Sequence, residues 1–200
     1  MREFSVRDAE VLLDWANEKN PGPWFDHSRE VAAAASKIAS AAGMDGNRAY
    51  VLGLLHDIGR YKGFSAMRHI VDGYELMKKK GDEQAAQICI THSFPLQRFD
   101  AYSGEDDCDE AERATVMSAL EGAKYTAYDE LIQLCDALAL PAGVCLMEKR
   151  LVDVALRHGV NEMTIPKWQK LFSIFQTFES QMEGKIYDLF PEIAENTFLL

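Results

Sequence analysis

The chain has no excess of basic residues. Its 21 lysines and arginines face 32 aspartates and glutamates, giving a formal net charge of −11 over 200 residues. A surface of that sign has no basic face to release counterions from nucleic acid or to hold anionic lipid, so long nucleic acid and membranes are not expected partners. A small phosphate-bearing substrate remains admissible, because a local metal charge outweighs a distant acidic surface. The sequence also lacks any apolar run near the roughly 20 residues of a membrane span, and no secretory pattern opens it. Its four cysteines, Cys89, Cys108, Cys135 and Cys145, lack the close pairs of a zinc ribbon or a thioredoxin-type site. Two of them lie in apolar helical context, where a free cysteine behaves as a small hydrophobe. The expectation is a soluble, reduced, cytoplasmic protein.

Strand alternation is almost absent as well, and no internal repeat, low-complexity tract or flexible linker is visible. Helical periodicity fills the chain instead. Ser5 is placed to cap a first helix carrying Val11, Leu12, Leu13 and Trp15, which stops before Asn20-Pro21-Gly22-Pro23. A second helix starts between Trp24 and Asp26 and runs to Gly43. Asp45 or Asn47 opens a third, which ends at His56-Asp57-Ile58-Gly59. Ser65 is the expected cap of a fourth, closed by Lys78-Lys79-Lys80-Gly81, and Asp82 starts a fifth that reaches His92. A long loop with the acidic run Glu105-Asp106-Asp107 follows. Helices are expected again over 110–120, 127–140 and 143–157, and beyond Thr164. This predicts one all-α domain over residues 1–200, with its core at about 24–140 and residues 141–200 as a C-terminal helical cap.

Several polar residues stand out against that apolar pattern. His27, His56, His69 and His92 fall at or near the ends of successive helices, and Asp136 interrupts the run Leu131-Ile132-Gln133-Leu134-Cys135-Asp136-Ala137-Leu138. A charge at such a position is costly unless it is paired or bound to a metal. His56 and Asp57 are adjacent, and adjacent residues within a helix do not share a face. Where a helix ends, however, two consecutive side chains can converge on one ion. An imidazole nitrogen beside a carboxylate oxygen suits Mn, Fe, Ni, Co or Zn. Each residue taken alone has a structural explanation; five of them in one helical domain point to a metal. His158, in Arg157-His158-Gly159, is expected only to end a helix.

The order His27, His56-Asp57, Asp136, with the segment Leu54-Leu55-His56-Asp57-Ile58-Gly59, resembles the HD-domain superfamily of metal-dependent phosphohydrolases over about residues 24–140. The resemblance implies an HD helical bundle in which His27, His56, Asp57 and Asp136 hold a first divalent metal. His69 and His92 match the extra histidines of a two-metal subset, where the residue matching Asp57 bridges both ions. One or two divalent transition-metal ions are therefore expected. The implied chemistry is attack of a metal-bound hydroxide on a phosphoester or phosphoanhydride.

Arg60 and Lys62, just after the ligand pair, are the expected phosphate contacts, with Asp57 as the third catalytic residue; Arg68 and Lys124 are weaker candidates. Asp26, Glu30 and Asp72 are candidate carboxylate partners that orient the histidines. Phe94, Phe99 and Tyr102 suggest stacking on a base, so the expected substrate is a small phosphorylated compound such as a nucleotide. After His92 comes Ser93-Phe94-Pro95, without the second histidine or Gly-Tyr-Pro tripeptide of the cyclic-dinucleotide phosphodiesterases, so that activity is not expected. The six-ligand pattern also occurs in a diiron oxygenase branch. That branch and a ligand-sensing module without catalysis are the alternatives. A homodimer is possible.

Overall fold

The computed structural model describes residues 3–198. Its first three helices follow the caps in the sequence. Helix α1 (Val6–Lys19) starts where the Ser5 hydroxyl accepts the Asp8 N–H at 3.1 Å, and it buries Ala9, Leu12, Leu13 and Ala16. Helix α2 (Pro23–Ala41) opens on a proline, whose missing N–H is not needed at that position. Helix α3 (Gly46–Leu55) opens where the Asp45 carboxylate accepts from Asn47 and Arg48. Helices α2 and α3 meet at Gly53 and Ala32. A Cβ at Gly53 would lie 2.5 Å from Ala32 Cα, so only glycine lets the two backbones come this close. That contact brings His27, near the start of α2, beside His56, just past α3.

A 3-10 turn (Ile58–Lys62) leads to α4 (Arg68–Lys80) and α5 (Glu83–Thr91). The turn lies flat on α4. A Cβ at Gly59 would sit 1.9 Å from the His69 carbonyl oxygen and 2.4 Å from the Gly73 nitrogen. Ser65 does not cap α4 as expected. The Asp107 carboxylate, some forty positions later, accepts from the Ala66 N–H at 2.9 Å and the Arg68 N–H at 2.8 Å. One residue of the acidic run thus satisfies donors that local sequence leaves open. Asp82 caps α5 through Ala85 and also accepts from Phe4 N–H and both terminal nitrogens of Arg48, at 2.7 to 3.0 Å. A single buried carboxylate therefore joins the N-terminal segment, α3 and α5.

The second half departs further from the periodic reading. Beyond α6 (Glu110–Gly122), α7 (Ala127–Asp136) stops four residues short of the expected end. Ala139–Leu140 and Gly143–Val144 form strands β1 and β2, an antiparallel hairpin pairing Ala139 with Val144 and Leu140 with Gly143. A short apolar run reads alike as buried helix or buried strand, which is why periodicity misplaced this end. The next helix, α8 (Met147–His158), starts four residues later than expected, and α9 (Thr164–Met182) packs against α7. A 3-10 turn (Ile186–Leu189) and α10 (Ile193–Phe198) close the described chain.

Apart from the hairpin the fold is all-α. Its main core joins α1, α2, α3, α5, α7 and α9, and a second cluster of Met67, Ile70, Val71, Ile90, Phe94, Val116 and Leu120 lies under α4, α5 and α6. All four cysteines are free and buried. No helix among the described residues is long and apolar enough to cross a membrane.

Candidate metal centre

Six side chains gather from the ends of five helices. His27 lies in the first turns of α2, His56 and Asp57 follow α3, His69 is in the first turn of α4, His92 follows α5, and Asp136 is the last residue of α7. The four histidines and Asp57 are buried. Their donor atoms fall into two sets, each within 4.8 Å of one another: His27, His56 and Asp57; and Asp57, His69 and His92. Asp57 belongs to both. Asp136 stands beside the first set, its Oδ1 3.0 Å from His27 Nε2.

The backbone selects which ring nitrogens face inward. The Nδ1 atoms of His56, His69 and His92 meet the carbonyl oxygens of Gly53, Ala66 and Ile88, at 2.7 Å for His56 and 3.1 Å for His92. A carbonyl only accepts, so each Nδ1 carries a proton, and in the neutral ring Nε2 presents a lone pair. His56 Nε2 is buried with no hydrogen-bond partner. The Nε2 atoms of His69 and His92 face Asp57 Oδ1 at 3.1 and 3.6 Å. Lone pairs aimed at a carboxylate repel it unless a proton or a cation lies between. Burial, helped by the neighbouring His56, pushes His92 down to about 3, so its ring is neutral near pH 7. Burial likewise lowers His56. Four imidazoles and a shared carboxylate, with ring nitrogens converging, form a donor set that could hold a divalent transition metal.

The carboxylates stay ionised despite burial. Burial pushes Asp57 up, but Arg60 and the His69 and His56 rings outweigh it and hold the carboxyl well below the usual range. Burial also opposes ionisation of Asp136, and there the His27 hydrogen bond prevails. Arg60 Nε donates to Asp57 Oδ2 at 2.6 Å and Nη1 to Ser65 O at 3.3 Å. Asp57 thus offers Oδ1 to the imidazoles while Arg60 occupies Oδ2.

Other candidates fall elsewhere. Lys62, 48% exposed, pairs with Asp72 at 2.5 Å rather than with Asp57. Asp72 therefore takes a lysine, and backbone carbonyls do the orienting for the rings of His56, His69 and His92 that Asp26, Glu30 and Asp72 were expected to do. Arg68 pairs with Glu112 on α6, and Lys124 is exposed in the link between α6 and α7. Phe94 is fully buried and packs on Phe99 and Tyr102, with ring centroids 6.4 and 5.8 Å away. The Phe94 ring is core and is closed to a base.

Periodicity gave no sign of two cations from the C-terminal helices. Arg150 of α8 brings Nη2 within 3.9 Å of Asp136 Oδ1. Lys167 of α9 reaches the loop that follows His92, its ammonium on Ser93 O at 3.1 Å. Along a chain, both look like ordinary charges on an amphipathic helix.

The family described as HD domain matches residues 24–140. Ribonuclease Y of Mycoplasma capricolum subsp. capricolum is 34% identical over 114 residues, covering 53% of this chain and 20% of that protein. Ribonuclease Y of Mycoplasma mycoides subsp. mycoides SC shows the same identity and coverage. That of Mesoplasma florum is 42% identical over 59 residues, 29% of this chain and 12% of its own. The chain thus spans about a fifth of the length of the first two relatives. No solved structure matches. The matched stretch exceeds half of the chain and carries every imidazole and carboxylate of the cluster, and on that ground the chain belongs to the HD domain family.

Proposed function

We propose that the chain is a metal-dependent phosphohydrolase, cleaving a phosphoester or phosphoanhydride of a small soluble substrate of nucleotide type. The observation that carries this reading is Asp57: one buried carboxylate shared by two imidazole sets, with a guanidinium on its other oxygen. His27, His56, Asp57 and Asp136 would hold one ion, and His69 and His92 with Asp57 a second. A divalent ion there supplies Lewis acidity and brings the pKa of a water towards neutrality. The protein's part is orientation. Backbone carbonyls lock three ring tautomers, Arg60 fixes the carboxylate plane of Asp57, and its positive charge lies where phosphate oxygens would gather.

The relatives' name, a ribonuclease, denotes cleavage of phosphodiesters, which supports phosphoester chemistry as the class. The net charge of −11 favours a small substrate over a long strand. Phe94 lends no support to base stacking, so the nucleotide part of the proposal rests on the relatives.

The test is a screen of protein purified without chelator, supplemented in turn with Mn, Fe, Co, Ni and Zn. Substrates would be nucleotides, dinucleoside polyphosphates, cyclic nucleotides, sugar phosphates and short RNA. Phosphate release is expected with at least one metal, and His56→Ala should lose both metal and turnover while keeping its helix content. Arg60→Ala should lower kcat/KM at least about tenfold, roughly 1.4 kcal/mol, and Lys62→Ala by less. If no phosphorylated compound turns over with any metal, the reading fails. Iron- and O₂-dependent oxidation in its place would assign the centre to the oxygenase branch.

A further inference from the structure

The cations beside the centre come largely from outside the HD stretch. Arg150 is only 15% exposed. Its Nη1 donates to Asp153 Oδ2 at 3.2 Å, Nη2 lies 3.9 Å from Asp136 Oδ1, and Nε is buried without a hydrogen-bond partner. A guanidinium donates to phosphoryl oxygens through several N–H groups, and here Nη2 makes no hydrogen bond and is not sealed off as Nε is. Lys167 donates to Ser93 O, Ser103 Oγ and Ala101 O at 3.1, 3.2 and 3.5 Å, all neutral acceptors. Among the described residues it has no carboxylate ion-pair partner. Its ammonium is held by the loop that follows His92, on acceptors that do not neutralise it. Burial lowers it to about 8, while the field of Asp136 favours its charge. The same field reaches Arg60.

Positive charge nonetheless gathers on one side of the centre. Arg150 approaches Asp136, Arg60 pairs with Asp57, and Lys167 rests on neutral acceptors, in a protein of net −11. His158, which follows Arg157, lies on the same side, with its Nδ1 near Gly104 and Tyr102. A divalent ion held by the ligand set would add two more positive charges. A monoanionic diester would leave much of that charge unanswered, whereas a dianionic terminal phosphate answers more of it.

We propose that Arg150 and Lys167 form a subsite for the terminal phosphate of a small phosphomonoester or nucleotide, on the Asp136 side of the metal centre. This rests on the hydrolase reading of that centre and narrows its substrate class. Arg150 contacts the phosphate directly through Nη2. Lys167 is a positioning residue that holds the loop after His92 and supplies field. Because residues 141–200 lie beyond the HD match, relatives that share the metal ligands need not share this preference.

The test uses the full chain loaded with manganese and reads binding separately from turnover. Inorganic phosphate is titrated calorimetrically into wild type, Arg150→Gln and Lys167→Gln, with metal content per chain measured in each. Kinetics are then compared on p-nitrophenyl phosphate and bis(p-nitrophenyl) phosphate. Arg150→Gln should weaken phosphate binding about tenfold, equivalent to roughly 1.4 kcal/mol, and raise KM for the monoester more than it lowers kcat, with metal retained. Lys167→Gln should raise KM similarly, and Lys167→Arg should recover part of the loss.

If Arg150→Gln fails to fold, Arg150→Lys is read instead. It keeps the charge without the planar fork and should bind phosphate roughly threefold more weakly. Undiminished phosphate affinity in a folded, metal-loaded Arg150 variant overturns the subsite, as does a wild-type preference for the diester. Monoester hydrolysis with KM unchanged in both glutamine variants also sinks the subsite but leaves the hydrolase reading standing. Phosphate binding that depends on Arg150 with no ester turned over does the reverse.

Discussion

Gly59→Ala should cost the centre its second imidazole set, and the size of the effect follows from where the methyl would go. A Cβ at Gly59 would sit 1.9 Å from the His69 carbonyl oxygen, 2.4 Å from the Gly73 nitrogen and 2.9 Å from the His69 carbonyl carbon. Ordinary contact begins near 3.4 Å, so the turn and α4 must part by roughly 1.5 Å. No rotamer relieves this, because the obstacles are backbone atoms. His69 rides on the stretch of α4 that must move, and its Nε2 is now 3.1 Å from Asp57 Oδ1. With metal–nitrogen bonds near about 2 Å, a displacement of that size removes it from any ion Asp57 shares.

Inserting a methyl into a packed core typically costs about 1–3 kcal/mol, and a rigid obstacle places this case at the top, about 3 kcal/mol. For a chain of this length about 1 kcal/mol moves Tm by some 2–4 °C, so the expected fall is roughly 6–12 °C. The assay is thermal unfolding by circular dichroism, with chelator and after reconstitution, together with metal content per chain. Gly122→Ala is the control, since its Cβ would meet nothing within 4 Å, and it should melt like wild type or slightly above. A Gly59→Ala protein melting within about 2 °C of wild type with its metal content intact would refute the argument.

Two further outcomes concern the carboxylates that tie distant elements together. Asp107→Ala should destabilise by about 1 kcal/mol, the usual worth of a helix cap, lowering Tm by a few degrees, whereas Ser65→Ala should leave it unchanged; equal melting of the two would show that Asp107 does not cap α4. Burial raises the Asp82 carboxyl, but hydrogen bonds from Arg48 and from the Ala85 and Phe4 amides outweigh it, so its folded pKa is depressed. A depressed carboxyl contributes stability that is complete above its unfolded value, about 3.9, and is lost as pH falls through the folded value. Wild type should therefore lose Tm as pH is lowered from about 5 to 3, while Asp82→Asn, already destabilised by leaving Arg48 buried and uncompensated, should lose distinctly less over that range. Parallel acid slopes for the two proteins would remove Asp82 from the account.

What the sequence made legible is what each segment settles with its own neighbours. Ser5, Asp45 and Asp82 cap the helices they precede, because a cap needs only the next three residues. The His56-Asp57 pair stands where α3 ends, just ahead of Gly59. Illegible were the features that need a partner far along the chain. Asp107 caps α4 across forty positions, and nothing near Ser65 announces it. Asp136 reads as the middle of an apolar helix because the hairpin that ends α7 is itself apolar. Lys62 turns to Asp72 and Phe94 into the core through packing choices that residue type leaves open. Arg150 and Lys167 carry no periodic mark, since a charge buried by a distant loop looks, in sequence, like one facing water.

The histidines show why this particular centre is readable at all. A metal-bound imidazole needs its outer nitrogen held, and the usual expectation is a carboxylate. Here the holder lies three or four residues back on the same strand of chain: Gly53 for His56, Ala66 for His69, Ile88 for His92. Each carbonyl lies within one turn of its histidine, and Ile88 O accepts the His92 amide as well as its ring, so these histidines set their own tautomer without recruiting another side chain. Three such residues need only be brought together, and the small contacts at Gly53 and Gly59 do that. His27 differs: its Nδ1 has no partner and its Nε2 depends on Asp136, which in turn lies near Arg150. The self-oriented part of the centre therefore lies wholly within the HD stretch. The part that depends on long-range partners faces the C-terminal helices, which is where a binding preference belonging to this chain has room to arise.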